Sequence, residues 1–206
     1  MKRLSSPLIF SVVLAGLMLA GCGGGGGNVG GGGMMGGLTA TFTGDVPMPA
    51  ADSVSMAAGT ATGDTFQVEL RVGDIIDFFG TAFSVRFDPT TAEYQSFDDS
   101  SSLLQAYAPD IEIRADLDQV DSGLVSIVAT LKNPITGPIQ GIDTSMEPTD
   151  LLLTLTFRAT NPTVGPNHNA FSVDAVRTRE ILICPAAGMC APHATPTWNG
   201  GTMTAM

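Results

Sequence analysis

The acidic residues of one segment are the first candidates for chemistry. Asp116, Asp118 and Asp121 lie close together in the sequence, and carboxylate oxygens are the ligands that calcium prefers. Their spacing does not match the loop of an EF-hand. A water-exposed turn explains the same residues, so a calcium site and a solvated acidic turn both stay open. A carboxylate pair of the glycoside hydrolase kind is the weaker alternative.

The two histidines, His168 and His193, are candidates for acid and base catalysis. Each lies in a loop that is rich in Pro, Asn and Thr, and neither accompanies a Ser or Cys in a recognisable nucleophile motif. Both histidines are therefore interpreted as exposed loop residues. We expect a protein that is not an enzyme and that holds no cofactor or metal of its own.

The cysteines near the C-terminal end are separated by a short segment that contains Pro and Gly. Cys184 and Cys190 form an even pair once the third cysteine, Cys22, is set aside. In an oxidising compartment such a pair forms a local disulfide. A metal site is the alternative, but His193 is the only further ligand nearby, and a structural zinc site needs four ligands.

The third cysteine follows a secretory leader. Lys2 and Arg3 precede an apolar stretch at 8–20 that is too short to span a bilayer. The residues that end in Cys22, LAGC, look like a bacterial lipobox, which predicts cleavage after residue 21 and lipidation of Cys22. Position 23 is Gly rather than the Asp of inner-membrane retention. We therefore expect a lipid-anchored protein of the cell envelope, at the outer membrane or cell surface.

Charge and glycine content characterise the chain beyond the anchor. The net charge is −11, which excludes nucleic acid as a partner because a phosphate backbone needs a basic face. The same charge leaves membrane attachment to the acyl chains alone. Residues 22–37 are mostly glycine and predict a flexible tether. The predicted organisation is a signal peptide at 1–21, a lipidated tether at 22–37 and one domain at 38–206.

The predicted domain has the periodicity of β-strands. Apolar and polar residues alternate with period two in four segments, 65–72, 83–87, 125–131 and 151–158. Weaker strand patterns occur at 53–57, 92–97, 111–115, 171–176, 181–184 and 201–204, and only 100–108 suits a helical turn. About nine or ten strands without long helical connections predict an all-β fold, an antiparallel β-sandwich of Greek-key or jelly-roll type.

Several of these segments resemble cohesin domains, the receptor modules of cellulosomes. The segment FSVRFDP at 83–89, followed by AEY at 92–94, is similar to the strand, Asp-Pro and strand of that family. Segments 123–131, 150–159 and 198–204 resemble later cohesin strands in the same order. The resemblance implies a nine-stranded jelly roll that binds a dockerin, a small helical module that carries its own calcium, through one sheet face. The segment 183–192 has no counterpart in the family pattern, and a lone domain on a lipid anchor leaves the partner open.

Residues on the outward side of two strong strands are the candidate contacts for a protein partner. The outward residues predicted from strand parity are Ser126, Val128, Thr130, Leu152, Thr154, Thr156 and Arg158. A solvated sheet face has a similar composition, and fold analogy alone does not decide between the two. A carbohydrate-binding module is the alternative function, because it shares the sandwich architecture. Its stacking platform would have to come from Trp198, Tyr94 and Tyr107.

Overall fold

The alternation of apolar residues does fold into strands that bury one face. In β3, Thr65–Gly73, the side chains of Phe66, Val68 and Leu70 are fully buried, while their neighbours in the strand are partly exposed. The structure is a computed structural model and describes residues 37–47, 50–132, 140–145, 150–163, 169–186 and 189–206. The leader, Cys22, nearly all of the glycine tether and His168 lie outside the described residues.

Two sheets face each other across one core. The thirteen strands of the described residues are β1 (Ala40–Gly44), β2 (Ser53–Thr62), β3 (Thr65–Gly73), β4 (Phe78–Arg86), β5 (Ala92–Asp98), β6 (Ile111–Leu117), β7 (Leu124–Leu131), β8 (Asp150–Ala159), β9 (Ala170–Val173), β10 (Glu180–Ile183), β11 (Ala191–Pro192), β12 (Thr197–Asn199) and β13 (Gly201–Ala205). The smaller sheet has the order β12-β2-β3-β8-β5. The larger sheet runs β1-β13-β9-β4-β10-β11, with β7 on the other side of β4 and β6 beyond β7.

The predicted all-β fold is confirmed, and it is an antiparallel β-sandwich of jelly-roll type. The described strands pair antiparallel except for β12, which runs parallel to β2. The helical turn expected at 100–108 is a 3-10 helix, Leu103–Tyr107. The strand count exceeds the prediction because the closing part of the chain is divided into short strands. Strand β1 had not been predicted.

The core is an aromatic cluster with contributions from both sheets. The ring of Phe157 on β8 lies 5.0 Å from that of Phe171 on β9 and 5.1 Å from that of Phe87, which follows β4. Phe66 on β3 stacks on Phe157 at 5.7 Å. These rings join the two sheets. Their packing removes a large apolar area from water, and such burial is the dominant favourable term in folding.

Strand β4 has neighbours on both of its edges, and this arrangement positions the candidate site. One edge pairs with β7 along Gly80 to Arg86. The other edge is shared, since β9 pairs with its last residues and β10 with its first ones. The chain between β9 and β10 leaves the sheet in a turn at residues 174–179. Among the described residues, no helix has both the length and the apolar character needed to cross a membrane.

Candidate functional site: the outer face of strands β10, β4 and β7

A shallow trough crosses the outer face of the larger sheet. It encloses about 260 Å³ and is lined by Gly80, Thr81, Ala82, Val128, Thr130, Thr178, Glu180 and Leu182. Val128, on a strand that is paired on both sides, is 37% exposed on this face. The trough is therefore a mainly aliphatic surface with a carboxylate at one rim.

The register of three strands produces the trough. Gly80 on β4 lies opposite Leu182 on β10 and Thr130 on β7. Ala82, two residues further on, lies in the same way between Glu180 and Val128. Since side chains two apart share one face of a strand, the central strand contributes two small residues to the floor and its neighbours contribute larger walls.

Gly80 is required by the close approach of Thr130. A Cβ atom added at Gly80 would overlap the side chain of Thr130. The Thr130 hydroxyl donates to the carbonyl of Leu131 at 2.8 Å. Because position 80 has no side chain, the side chain of Thr130 lies over the central strand. The trough is shallow at this point.

A second depression continues the same face beyond Ala82. It is lined by Ala82, Phe83, Ser84, Ser126, Ile127, Val128, Val176, Arg177 and Thr178. Ser84 and Ser126 face each other with 3.3 Å between their Oγ atoms. Val128 and Thr178 belong to both depressions, so the two form one continuous surface.

Two tight turns stand at the end of this surface, and we name them the valine turns. They are residues 118–121 and residues 174–177. In the first, the Asp118 carboxylate accepts the backbone N–H groups of Val120 and Asp121 at 2.8 and 2.9 Å. In the second, the Asp174 carboxylate accepts those of Val176 and Arg177 at 2.9 and 2.8 Å. Each aspartate closes its own turn in the manner of an Asx-turn.

Two arginines tie the valine turns together. Arg86 on β4 donates from Nε to Asp174 at 2.6 Å and from Nη1 to Asp121 at 3.2 Å. Arg177 of the second turn pairs with Asp118 of the first at 2.7 Å. The backbone N–H groups of its turn lower the pKa of Asp174, and Arg86 lowers it further. Backbone N–H groups likewise lower the pKa of Asp118, because they stabilise the charged form.

Two of the three aspartates considered for calcium have other partners in the structure. Asp118 and Asp121 accept backbone N–H groups and pair with arginines, while Asp116 lies opposite Ser126 on the exposed side of β6. Within the described ranges, no group of three or more His, Cys, Asp or Glu side chains is placed to hold a metal ion. The carboxylates of Asp118 and Asp121 act as turn-forming and ion-pairing groups.

The seven predicted contact residues do not form one surface. Ser126, Val128 and Thr130 lie on β7 and line the two depressions. Thr154, Thr156 and Arg158 lie on β8, which belongs to the other sheet. The expectation of an outward Leu152 is wrong, since this side chain is fully buried. The pairing of β8 with β3 shifts register at this point, between Leu153 and Leu151, so strand parity fails there.

The outer face of the smaller sheet is polar. Arg158 pairs with Glu93 on β5 at 2.6 Å, and Thr156 lies opposite Gln67 on β3. Such exposed ion pairs and hydroxyl groups are typical of a solvated surface. The larger sheet, with its trough, is the better candidate for recognition.

The remaining sequence candidates have structural contacts. Cys184 and Cys190 form a disulfide, and the Nε2 atom of His193 lies 3.1 Å from the carboxylate of Asp52. The ring of Trp198 contacts Phe83 at 5.3 Å and lies beneath Arg179. Tyr94 donates its hydroxyl to the carbonyl of Ala115 at 2.8 Å. Trp198 and Tyr94 are thus engaged in packing rather than arranged as a platform for sugar rings.

Sequence reasoning identified only Val128 and Thr130 among the residues that line the trough. Residues 78–82 of β4 have no clear alternation, so the strand was predicted to begin at 83, and Gly80 and Ala82 went unnoticed. Glu180 and Leu182 were assigned to no surface, because their neighbours on β4 are about a hundred positions away. The aspartates and valines of the two turns share the pattern Asp-X-Val at 118–120 and 174–176, but the same pattern at 52–54 ends in a buried valine, so it does not identify the turns.

The described residues thus form an antiparallel sandwich with a shallow aliphatic trough on the outer face of one sheet. Family models and curated proteins gave no match to the chain. Among solved structures, a type II cohesin domain from the cellulosome of Acetivibrio cellulolyticus is similar at 9% identity and a TM-score of 0.47, over 75% of this chain and 95% of that one. Type II cohesin A11 from Bacteroides cellulosolvens is similar at 13% identity and a TM-score of 0.46, over 71% of this chain and 97% of that one. A third similar structure is the sixth cohesin of scaffoldin B from Acetivibrio cellulolyticus, solved in complex with a mutant Cel5 dockerin. It has 16% identity and a TM-score of 0.42, over 79% of this chain and 95% of that one.

Proposed function

We propose that this protein is a non-catalytic recognition module of the cohesin kind, which binds a dockerin-type partner through the outer face of β10, β4 and β7. The observation that carries the proposal is the trough, an aliphatic depression on a sheet face where side chains are otherwise polar. The dockerin assignment rests on the cohesin-like segments at 83–89, 123–131, 150–159 and 198–204. The calcium of the complex belongs to the partner.

The trough suits a helical partner that presents small or aliphatic side chains. Its floor, Gly80 and Ala82, belongs to a strand that is paired on both edges, so little ordering is needed on binding. The depth of the trough is set by the side chains of Leu182 and Val128, which form its walls. A trough of this depth admits the side chains of one helix face but not a deeply inserted aromatic ring. The side chains of Thr130 and Thr178 lie at the rim, and the Thr130 hydroxyl, which donates to the carbonyl of Leu131, can accept a hydrogen bond from a partner.

The test is calorimetric binding of purified, calcium-loaded dockerin modules, the Cel5 dockerin first. Val128→Asp places a charge in the trough and is expected to weaken binding at least about tenfold. The matched control is Thr156→Asp on the outer face of the smaller sheet, which is expected to leave affinity unchanged. Equal effects of the two variants would overturn the assignment to this face.

The outcome for the wild-type protein tests the function itself. If no dockerin of the panel binds with calcium present, the dockerin proposal falls. If the protein instead depletes an insoluble polysaccharide from suspension, the carbohydrate-binding alternative replaces it. Turnover of any glycoside substrate would contradict the non-catalytic assignment.

We also propose that Cys22 carries the lipid anchor and that the domain stands at the outer membrane or cell surface on its glycine tether. The support is the LAGC motif after a basic and apolar leader. Metabolic labelling with a palmitate analogue is expected to mark the wild-type chain and not Cys22→Ser, and cell fractionation should find only the wild type in the envelope. Labelling of Cys22→Ser would contradict this proposal without affecting the dockerin proposal.

A further inference from the structure

Two valines of the described chain are almost fully exposed and stand on neighbouring turns. Val120 is 95% exposed and Val176 is 93% exposed. Both occupy the same position in the valine turns, two residues after an aspartate that binds the backbone N–H of the valine itself. The two turns share no strand and are more than fifty positions apart, so this repetition is a property of the folded surface.

The turns hold their valines away from the protein. Each valine follows an aspartate whose carboxylate fixes the backbone. Arg86 spans from one turn to the other, and Arg177 adds a second ion pair between them. A side chain on a turn fixed in this way loses little conformational entropy when a partner covers it. Because Val176 lines the second depression, its exposed side chain extends a contiguous apolar patch, and such patches mark interaction sites.

The valine turns continue the face proposed to bind the partner. Val176 itself lines the second depression together with Ser126 and Val128. The ion pair between Arg177 and Asp118 then connects this depression to the turn that carries Val120. A partner that fills the trough and extends toward β9 therefore meets Val176 first and Val120 next.

The charges around the valines select the chemistry of the partner. The carboxylates of Asp118, Asp121 and Asp174 outnumber the guanidinium groups of Arg86 and Arg177 that pair with them, and the whole chain has a net charge of −11. A partner with an apolar residue flanked by Lys or Arg complements this surface. An anionic membrane would be repelled, so a protein segment is favoured over a lipid surface.

We propose that Val120 and Val176 form a second, preformed contact of the docking surface, which receives an apolar residue of the partner flanked by basic side chains. The inference rests on the proposed function, since the partner is the same module that fills the trough. Because full burial of one valine is worth roughly a factor of ten in affinity, the two valines determine how tightly a partner with this feature is held.

The test compares the wild type with a double valine variant, a control variant and Val128→Asp for binding of the same calcium-loaded dockerin panel by calorimetry. Val120→Ser with Val176→Ser is expected to weaken binding by about tenfold or more with an unchanged melting temperature. Met206→Ser, which removes an exposed apolar side chain next to β1, is the matched control and should bind as the wild type does. The association rate of the wild type should fall as sodium chloride is raised.

Each outcome bears on the inference. If Val128→Asp loses binding while the double serine variant stays within twofold of the wild type, the docking face stands and the valine contact is overturned. If the wild type binds no dockerin of the panel, both proposals fall together. An association rate that does not change with salt concentration overturns the claim that the partner presents basic side chains. Sedimentation with phosphatidylcholine vesicles that is lost in the double serine variant reassigns the valines to a membrane.

Discussion

At the scale of single residues, Tyr94 connects the two sheets. Its ring packs against Phe157 at 5.7 Å, and its hydroxyl donates across the sandwich from β5 to the carbonyl of Ala115 on β6 at 2.8 Å. Burial raises the pKa of this phenol to about 12, with a smaller contribution from Asp116. The neutral phenol is therefore part of the fold.

Tyr94→Phe removes this hydrogen bond and keeps the ring. We expect the free energy of unfolding to fall by about 1 kcal/mol, measured by urea denaturation at neutral pH. Since the folded pKa is raised, the wild type should also lose stability as the pH rises from about 10 toward 12, and the variant should lose less. Tyr107→Phe at an exposed ring is the control. Equal stability of wild type and Tyr94→Phe would show that the cross-sheet bond contributes nothing.

At the scale of elements, the shape of the site depends on β4 lying between β10 and β7. Only a residue without a side chain at position 80 lets Thr130 of the neighbouring strand approach so closely. The shared edge of β4 also explains the second valine turn, because the chain must leave the sheet where β9 ends and rejoin it where β10 begins. The trough and the turn are consequences of one strand arrangement.

Gly80→Ala places a methyl group where the side chain of Thr130 lies. We expect a loss of about 1 to 3 kcal/mol in the free energy of unfolding, as for other overpacked sites, together with weaker binding at the trough. Gly37→Ala is the matched control, since a Cβ there meets no atom within 4 Å. Unchanged thermal unfolding of Gly80→Ala would mean that the trough floor tolerates a side chain.

At the scale of the whole molecule, the excess of carboxylates makes stability depend on pH in a predictable direction. The pKa values of Asp118 and Asp174 lie below their ordinary value. A carboxylate with a lowered folded pKa stabilises the native state above its unfolded pKa of about 4. That stabilisation is lost as the pH falls through the pKa of the carboxylate in the folded state. The domain should therefore lose stability in acid, with the valine turns as one source.

Asp174→Asn tests this source. The variant should be less stable than the wild type at pH 7, because a buried hydrogen-bonded charge opposite Arg86 is lost, and its stability should fall less between about pH 5 and pH 3. Urea denaturation across this range measures both effects. Asp110→Asn at an exposed position is the control. Parallel pH profiles for wild type and Asp174→Asn would contradict the prediction.

Much of the fold was accessible from the sequence because β-strands that bury one face have an alternating pattern. Strands β3, β7 and β8 were predicted nearly to their ends, and the disulfide partners were predicted as the even pair of cysteines. The prediction failed where the pattern breaks, at Leu152 beside a register shift and in the first half of β4. The candidate site was predicted in part, through Ser126, Val128 and Thr130.

By itself, the sequence determined the all-β class, the acidic character and the residues that can alternate between core and solvent, since these follow from local pattern and composition. Only the tertiary structure decided that β7 and β8 lie in different sheets and that Gly80 lies between Thr130 and Leu182. It also decided that Arg86 pairs with Asp174, 88 positions away. Strand pairing joins residues that are distant in the chain, and its partners depend on the packing of the whole core rather than on any local pattern.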